Sequence, residues 1–435
     1  MEASPRRRRL RSSLRRRRRS PSPDAEVASG WLDSLPPELR NEILSRLPLR
    51  CAVRTAALAR AWRRRWESVP SLRIKWPAGA DPDAITGVLR RYSCPVREFC
   101  PSHIGEASFR HSDRWLRLLA LRGVQTLSLD FERSDEESAH TLHPSIFSCR
   151  GLTVLRLRGC DIPTMPPGFA GFLTLTKLSL FNVGFPDGPR ELEALIAASP
   201  LLEELWLLFI QVPDNNGEYL QWEIQAPKLR YLFIDQLLDY GWEISDLPSL
   251  EEADINVAMY NTHRDFVKLM TGLGSTKKLK FAIPPEDVNV VEGLSCQFNN
   301  LKSLSLQTSL HLFSGALSLF CLLRNAPNLE VLDIELYDLY SVEEDGEVDS
   351  DFLNAQWTDD LFSNLIRVGV THLMCRLSEM CFIKFILSKA RRLREFHVCL
   401  DEGCPKSNED AVTEFVKYRR ASPRAKVFFS RAEYD

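Results

Sequence analysis

Apolar residues recur along this chain with two different periods. Near the start the spacing is helical. In Asp33-Ser-Leu-Pro-Pro-Glu-Leu39 and Ile43-Leu-Ser-Arg-Leu-Pro48, the positions Leu39, Ile43, Leu44 and Leu47 recur as on an α-helix. Pro37 and Glu38 suit its first turn, where a missing N–H costs nothing and a carboxylate meets the positive end of the helix dipole. Pro48 stops it, because the residue before a proline is pushed out of the α region. A second short helix is expected over Leu49 to Leu58, with Val53 and Ala57 on one side. A third carries Trp62 and Trp66, whose spacing puts both indoles on one face.

From Val124 the pattern becomes L-x-x-L-x-L. Val124-x-x-Leu127-x-Leu129 is followed by copies starting at Leu152, Leu175, Leu202, Leu229, Leu250, Leu301, Leu329 and Leu393, with a weaker one near Leu279 to Ile283. The first starts lie 28, 23, 27, 27 and 21 residues apart, the period of leucine-rich repeats. Each copy places a short strand on a parallel sheet with its leucines inward, and only stacking buries those leucines. The Asn or Cys that usually follows such a strand is present once, as Cys160; elsewhere the position holds Val183, Ile210, Leu237, Ser309 or Tyr337. An irregular, loop-bearing solenoid is therefore expected. The residue between the two strand leucines faces away from the core by strand alternation. That picks out Ser128, Arg156, Ser179, Trp206, Phe233, Asp254, Ser305, Asp333 and His397 as a surface row. Of these, Arg156, Trp206, Phe233, Asp254, Asp333 and His397 are candidate contacts for a target protein.

Residues 71–123 read as a helical linker or N-terminal cap, with helices over Asp83 to Tyr92 and Asp113 to Leu121. Residues 341–360 read as an acidic loop. In 361–435 a helix over Phe382 to Lys389 feeds a last repeat strand. A second helix over Asp410 to Tyr418 and a closing strand at Val427-Phe428-Phe429 would cap the open sheet edge.

The N-terminal helices carry more apolar surface than about 35 residues can hide, which makes them a docking element. Leu35-Pro36-x-Glu38, Ile43-Leu44-Ser45-x-Leu47-Pro48, Val53-Arg54-Thr55 and Trp62-x3-Trp66 resemble the F-box of plant F-box proteins. The resemblance implies binding to a Skp1-type adaptor in a cullin-based (SCF) ubiquitin ligase. By position, Leu35, Pro36, Leu39, Ile43, Leu44, Leu47, Pro48, Val53, Trp62 and Trp66 match the adaptor-facing or supporting residues. The family's Ser-Arg-Arg-Trp run is Ala59-Arg60-Ala61-Trp62 here, a change that leaves the apolar face intact. A second resemblance, to the FBD-type region of plant F-box/leucine-rich-repeat proteins, lies in Asn364-Leu365-x-x-Val368, Phe382 to Leu387, Ala390-Arg391-Arg392-Leu393 and Arg419 to Ala425. The acidic run usual before its helix is reduced to Glu379. The resemblance assigns that region no activity.

Charge changes the picture at one place. Residues 1–20 hold ten Arg and one Glu, about +9, so a formal net charge of −2 leaves about −11 on the rest. Residues 1–28, almost without apolar side chains, cannot offset ordering entropy and are expected to be disordered. Arg6, Arg7, Arg8 and Arg9, with Arg15, Arg16, Arg17, Arg18 and Arg19, read as a nuclear import signal. Weak, nonspecific hold on nucleic acid through counterion release is the other use of such a run. Phosphate on Ser20 or Ser22, each followed by proline, would weaken the charge.

Eleven scattered cysteines with no C-x-x-C and no secretion signal read as reduced thiols. No run of about 18 apolar residues occurs, so no membrane span is expected. His140-x-x-His143 with Cys149 and Cys160 lacks finger spacing and reads as loop histidines and packed thiols. Gly272-x-Gly274-Ser-Thr-Lys277 lacks the spacing of a phosphate loop. No catalytic signature and no cofactor site is found.

The expectation is an α/β chain: a small all-α three-helix F-box at 31–70, then an irregular leucine-rich-repeat solenoid at 124–340 and an FBD-like cap. Its function would be a non-catalytic substrate adaptor, with Skp1-type and cullin partners, an unknown target and a nuclear location. The alternative is a nuclear interaction scaffold outside any ligase.

Overall fold

The computed structural model describes residues 35–47, 49–57, 62–69, 72–76, 81–131, 139–213, 221–244, 247–284, 288–337, 348–358 and 361–432. The arginine-rich segment and Pro48 lie outside these residues.

Among the described residues, one parallel sheet of fourteen strands follows chain order from Leu72–Trp76 to Lys426–Arg431. The register explains why leucines recur. Leu155 pairs with Leu127 and Leu178, Leu205 with Leu178 and Leu232, Leu304 with Leu279 and Leu332, and Phe396 with Val368 and Val427. Each repeat therefore lays its apolar pair on the pair before it, and every one of these side chains but half-buried Val427 is buried. The weaker copy at Leu279 is a full member, strand Lys278–Ala282. Parallel strands require crossovers, and these return over the leucine side. Helices Pro189–Ala197, Phe266–Gly272, Phe313–Arg324 and Leu377–Lys389 lie in them and bury Leu192, Leu269, Phe320 and Phe382. Gly272 sits where a Cβ would meet the Ile244 carbonyl oxygen at 2.6 Å, so it serves close helix–loop packing.

Three elements differ from the sequence reading. The 71–123 stretch holds helices Pro82–Arg91 and Phe109–Leu121, but also strands Leu72–Trp76 and Val96–Pro101. Ile74 pairs with Phe99 and Phe99 with Leu127, so Ile74 and Phe99 stand where later repeats have leucine. The leucine template passed over them because their apolar residues are of other types. Within the expected acidic loop lies helix Ser350–Ala355; Asp349 caps it, accepting from Phe352 N at 2.8 Å, and Phe352 packs against Phe313. Residues 338–347 are outside the described set. The third N-terminal helix is a 3-10 turn, Arg65–Ser68.

Among the non-leucine core, Arg264 and Asp239 form an ion pair with side chains 3% and 0% exposed. Arg264 Nε donates to Asp239 Oδ2 at 2.7 Å, its guanidinium lies 4.6 Å over the Trp242 ring, and it donates to the Trp242 carbonyl. This cluster joins the ladder Trp222–Ile224/Trp242–Ile244 to the helix side of the repeats.

Candidate functional site

The N-terminal unit is built from helix Pro37–Arg46, helix Leu49–Arg54 running into the 3-10 turn Thr55–Ala57, and the turn around Trp66. Glu42 and Arg46 pair at 2.7 Å on the first helix. The unit is tied to the solenoid through Tyr92, whose hydroxyl donates to Val69 O at 2.5 Å, and Ser93, whose N–H donates to Glu67 O at 2.9 Å.

Burial sorts the adaptor-matching residues into two groups. Leu44, Trp62 and Trp66 are 0%, 2% and 4% exposed. By position these three match the family's adaptor-facing or supporting residues, and their burial places them in the core. Leu35 and Leu47 are half-buried against the same core. Leu39, Ile43 and Val53 remain 52%, 41% and 36% exposed, and Pro36 is exposed. Leu39 and Ile43 stand one turn apart and form one ridge.

The second surface is the open face of the sheet. Strand pairing brings Ser128, Arg156, Ser179, Trp206, Phe233 and Asp254 into one row, continued by Lys280, Ser305, Asp333, Gly369, His397 and Phe428. All nine positions expected on the surface row are in it. Trp206 and Phe233 stack with centroids 4.7 Å apart, and Trp206 is 41% exposed. Phe181 and Phe209 widen this apolar centre, their rings meeting edge to face at 5.7 Å. Arg158 lies 4.6 Å over Phe181. Beyond Phe233 come Asp235 and Asp254, so the aromatic centre has basic residues on one flank and acidic ones on the other. Burial raises the Asp254 carboxyl above its ordinary range, and its Oδ1 has no hydrogen-bond partner in the structure. Phe181 and Arg158 were within reach of strand alternation, one position past the second leucine. Phe209 was not, since its placement depends on a turn with φ +48.

The remaining sequence candidates are structural. His140 stacks on Phe109 at 4.8 Å and its Nε2 lies 2.8 Å from Ser112 Oγ; burial lowers its pKa. His143 Nδ1 accepts from Ser145 N, and Nε2 accepts from Arg117. Burial pushes Cys149 up to about 12, and burial with neighbouring Glu98 pushes Cys100 to about 11, so neither is a thiolate at neutral pH. No group of three or more metal-ligating side chains occurs among the described residues. Glu379, the residue left of the expected acidic run, is buried and accepts from Met374 N and Arg376 N at 3.1 and 2.9 Å, capping its helix.

An apolar-ridged helical unit is thus fixed to a leucine-rich parallel sheet. Residues 32–74 match the F-box domain, and residues 112–334 match the repeats described as "FBD-associated F-box protein At5g56370, LRR repeats". Among Arabidopsis thaliana proteins, F-box/FBD/LRR-repeat protein At1g13570 is 27% identical over 92% of this chain and 98% of its own length. FBD-associated F-box protein At5g60610 is 26% identical over 83% and 98%. The chain belongs to the plant F-box/LRR family that carries an FBD region.

Proposed function

We propose that this protein recruits a target protein to an SCF-type cullin ubiquitin ligase. The observation that carries the reading is the Leu39–Ile43 ridge, left half-exposed on a unit that buries its own tryptophans. An exposed aliphatic ridge on a small helix pair suits insertion into a groove of a Skp1-type adaptor. The cullin joins through that adaptor. The sheet face holds the target, with stacked Trp206 and Phe233 as its anchor, since stacked aromatics supply large contact area at low entropy cost. Arg156, Asp254, Asp333 and His397 set charge along the row. The chain itself supplies no catalytic group; ubiquitin transfer belongs to the partners. The arginine segment directs the protein to the nucleus, and removing residues 1–20 from a tagged full chain abolishes nuclear enrichment.

The test is co-purification of the full chain with a Skp1-type adaptor and a cullin. Proteins that accumulate in cells when residues 31–70 are deleted are then the targets. A folded chain that captures neither adaptor nor cullin overturns the reading.

A further inference from the structure

The two ends of the sheet are finished differently. At the first strand, Leu72–Trp76, the N-terminal unit provides cover: helix Leu49–Arg54 packs on it, and Ile74, Ala52 and Trp66 are all buried. The last strand, Lys426–Arg431, joins the sheet in parallel register on Glu395–Leu400 and becomes its edge; among the described residues no strand lies beyond it. Val427 and Phe429 stand at the leucine positions, opposite Phe396 and Val398. Those partners are 0% and 1% exposed, whereas Val427 and Phe429 are only half-buried, and no residue of the last strand is buried. Helix Asn408–Val416 packs on this strand through Phe415, whose ring meets Phe429 at 5.1 Å. It leaves Val412 and Val416 exposed one turn apart.

Lys426 N donates to Arg394 O at 2.8 Å and Ala432 N to Leu400 O at 2.9 Å, so the backbone groups of Lys426, Phe428 and Ser430 face the neighbouring strand. By two-residue alternation, those of Val427, Phe429 and Arg431 point to the open side. Such an edge is a template for another strand. Charge decides which strand. Residues 417–431 hold six Lys or Arg and no Asp or Glu. Lys417 meets Glu414 at 3.0 Å. Glu395 stands opposite Lys426 in the register, but its Oε2 lies 3.2 Å from His397 Nε2. Lys426 and Arg431 bracket the apolar centre of the strand. Two copies meeting edge to edge across a two-fold axis run antiparallel and set Lys426 against Arg431 at both ends, which like charge disfavours. An incoming strand with acids at those two positions is attracted instead.

We propose that this edge takes an extended segment of a partner protein as a further parallel strand, in the order acid, apolar, any, apolar, any, acid. The acids meet Lys426 and Arg431, and the two apolar residues continue the stack from Val427 and Phe429. Main-chain hydrogen bonds supply the affinity, and the alternate side chains supply the choice of partner. The edge lies apart from the Leu39–Ile43 ridge and from the aromatic centre of the open face, so a segment held here leaves both free.

The test titrates the full chain with the peptide acetyl-Gly-Glu-Val-Thr-Val-Thr-Glu-Gly-amide and with a second peptide in which both Glu are replaced by Lys. The Glu peptide is expected to bind wild type, and the Lys peptide not. Val427→Pro removes an N–H on the open side and leaves the ladder to Glu395–Leu400 intact; it is expected to lose about tenfold or more in affinity. Lys426→Glu/Arg431→Glu loses the Glu peptide by a similar factor and gains the Lys peptide. Circular dichroism and adaptor capture stay unchanged in both variants, so a failed adaptor reading and a failed edge reading are separable. Equal affinity of wild type and Val427→Pro for the Glu peptide overturns the proposal, as does no binding by a folded wild type or equal binding of the two peptides. A dimer in sedimentation that Val427→Pro abolishes gives the edge to a second copy and overturns it too.

Discussion

The solenoid and the N-terminal helical unit use the same residue types and treat them differently. In the solenoid a periodic leucine is a buried leucine: Leu178, Leu205, Leu304 and Leu332 are all at 0% exposure. In the helical unit, Leu39 and Ile43 recur with equal regularity and stay in water. The difference is one of cover. Every internal repeat has a neighbour on each side to bury its pair, whereas among the described residues the first helix packs on the turn around Trp66 and has few buried places. Those are filled by Leu44, Trp62 and Trp66. Apolar periodicity thus specifies the element, and the amount of chain available to cover it decides whether the stripe becomes core or interface.

If that distinction is right, substitutions in the two regions separate stability from binding. The largest loss is expected at the buried pair: Asp239→Ala removes the carboxylate buried against Arg264 and costs about 3–5 kcal/mol in urea unfolding. Leu205→Ala, in the middle of the leucine stack, is expected to cost about 2–5 kcal/mol. By contrast Leu39→Ala leaves stability within about 0.5 kcal/mol, as for a surface position. A cost as large as that of Leu205→Ala would mean that Leu39 is core, and the comparison would break.

Smaller effects sharpen the account of the sheet face. Trp206→Ala with Phe233→Ala removes the exposed stack while its flanking leucines stay buried; target capture is lost with little change in melting temperature. Asp254 offers a pH test. Its folded pKa is raised, so the folded state binds more protons than the unfolded one within the window above the ordinary carboxylate value, and stability falls as pH rises through it. Asp254→Asn is therefore expected to be slightly more stable than wild type at neutral pH, the gap closing in acid. A gap that widens in acid would show that the carboxylate is stabilised instead.

Much of this was legible in the chain. The L-x-x-L-x-L copies located the repeat strands, and alternation placed Trp206, Phe233 and Asp333 on the open face, because a two-residue period leaves no freedom once the leucines point inward. Ile74 and Phe99 were not legible as strand residues, since their neighbours do not repeat the leucine template. Nor was the split between Leu39 and Leu44 visible. Both lie on the same helix at apolar spacing, and only the position of Trp62 and Trp66 decides which is covered.

The central claim is that the exposed ridge is there to be covered by another protein. The direct measurement is calorimetric titration of the full chain, wild type and Leu39→Ala/Ile43→Ala, with a Skp1-type adaptor, alongside thermal melts of both. The account predicts binding by wild type and a loss of about a hundredfold or more in the variant, about 2.7 kcal/mol, with the melts superimposed. Equal affinity in the two proteins, or no binding by a folded wild type, would contradict it.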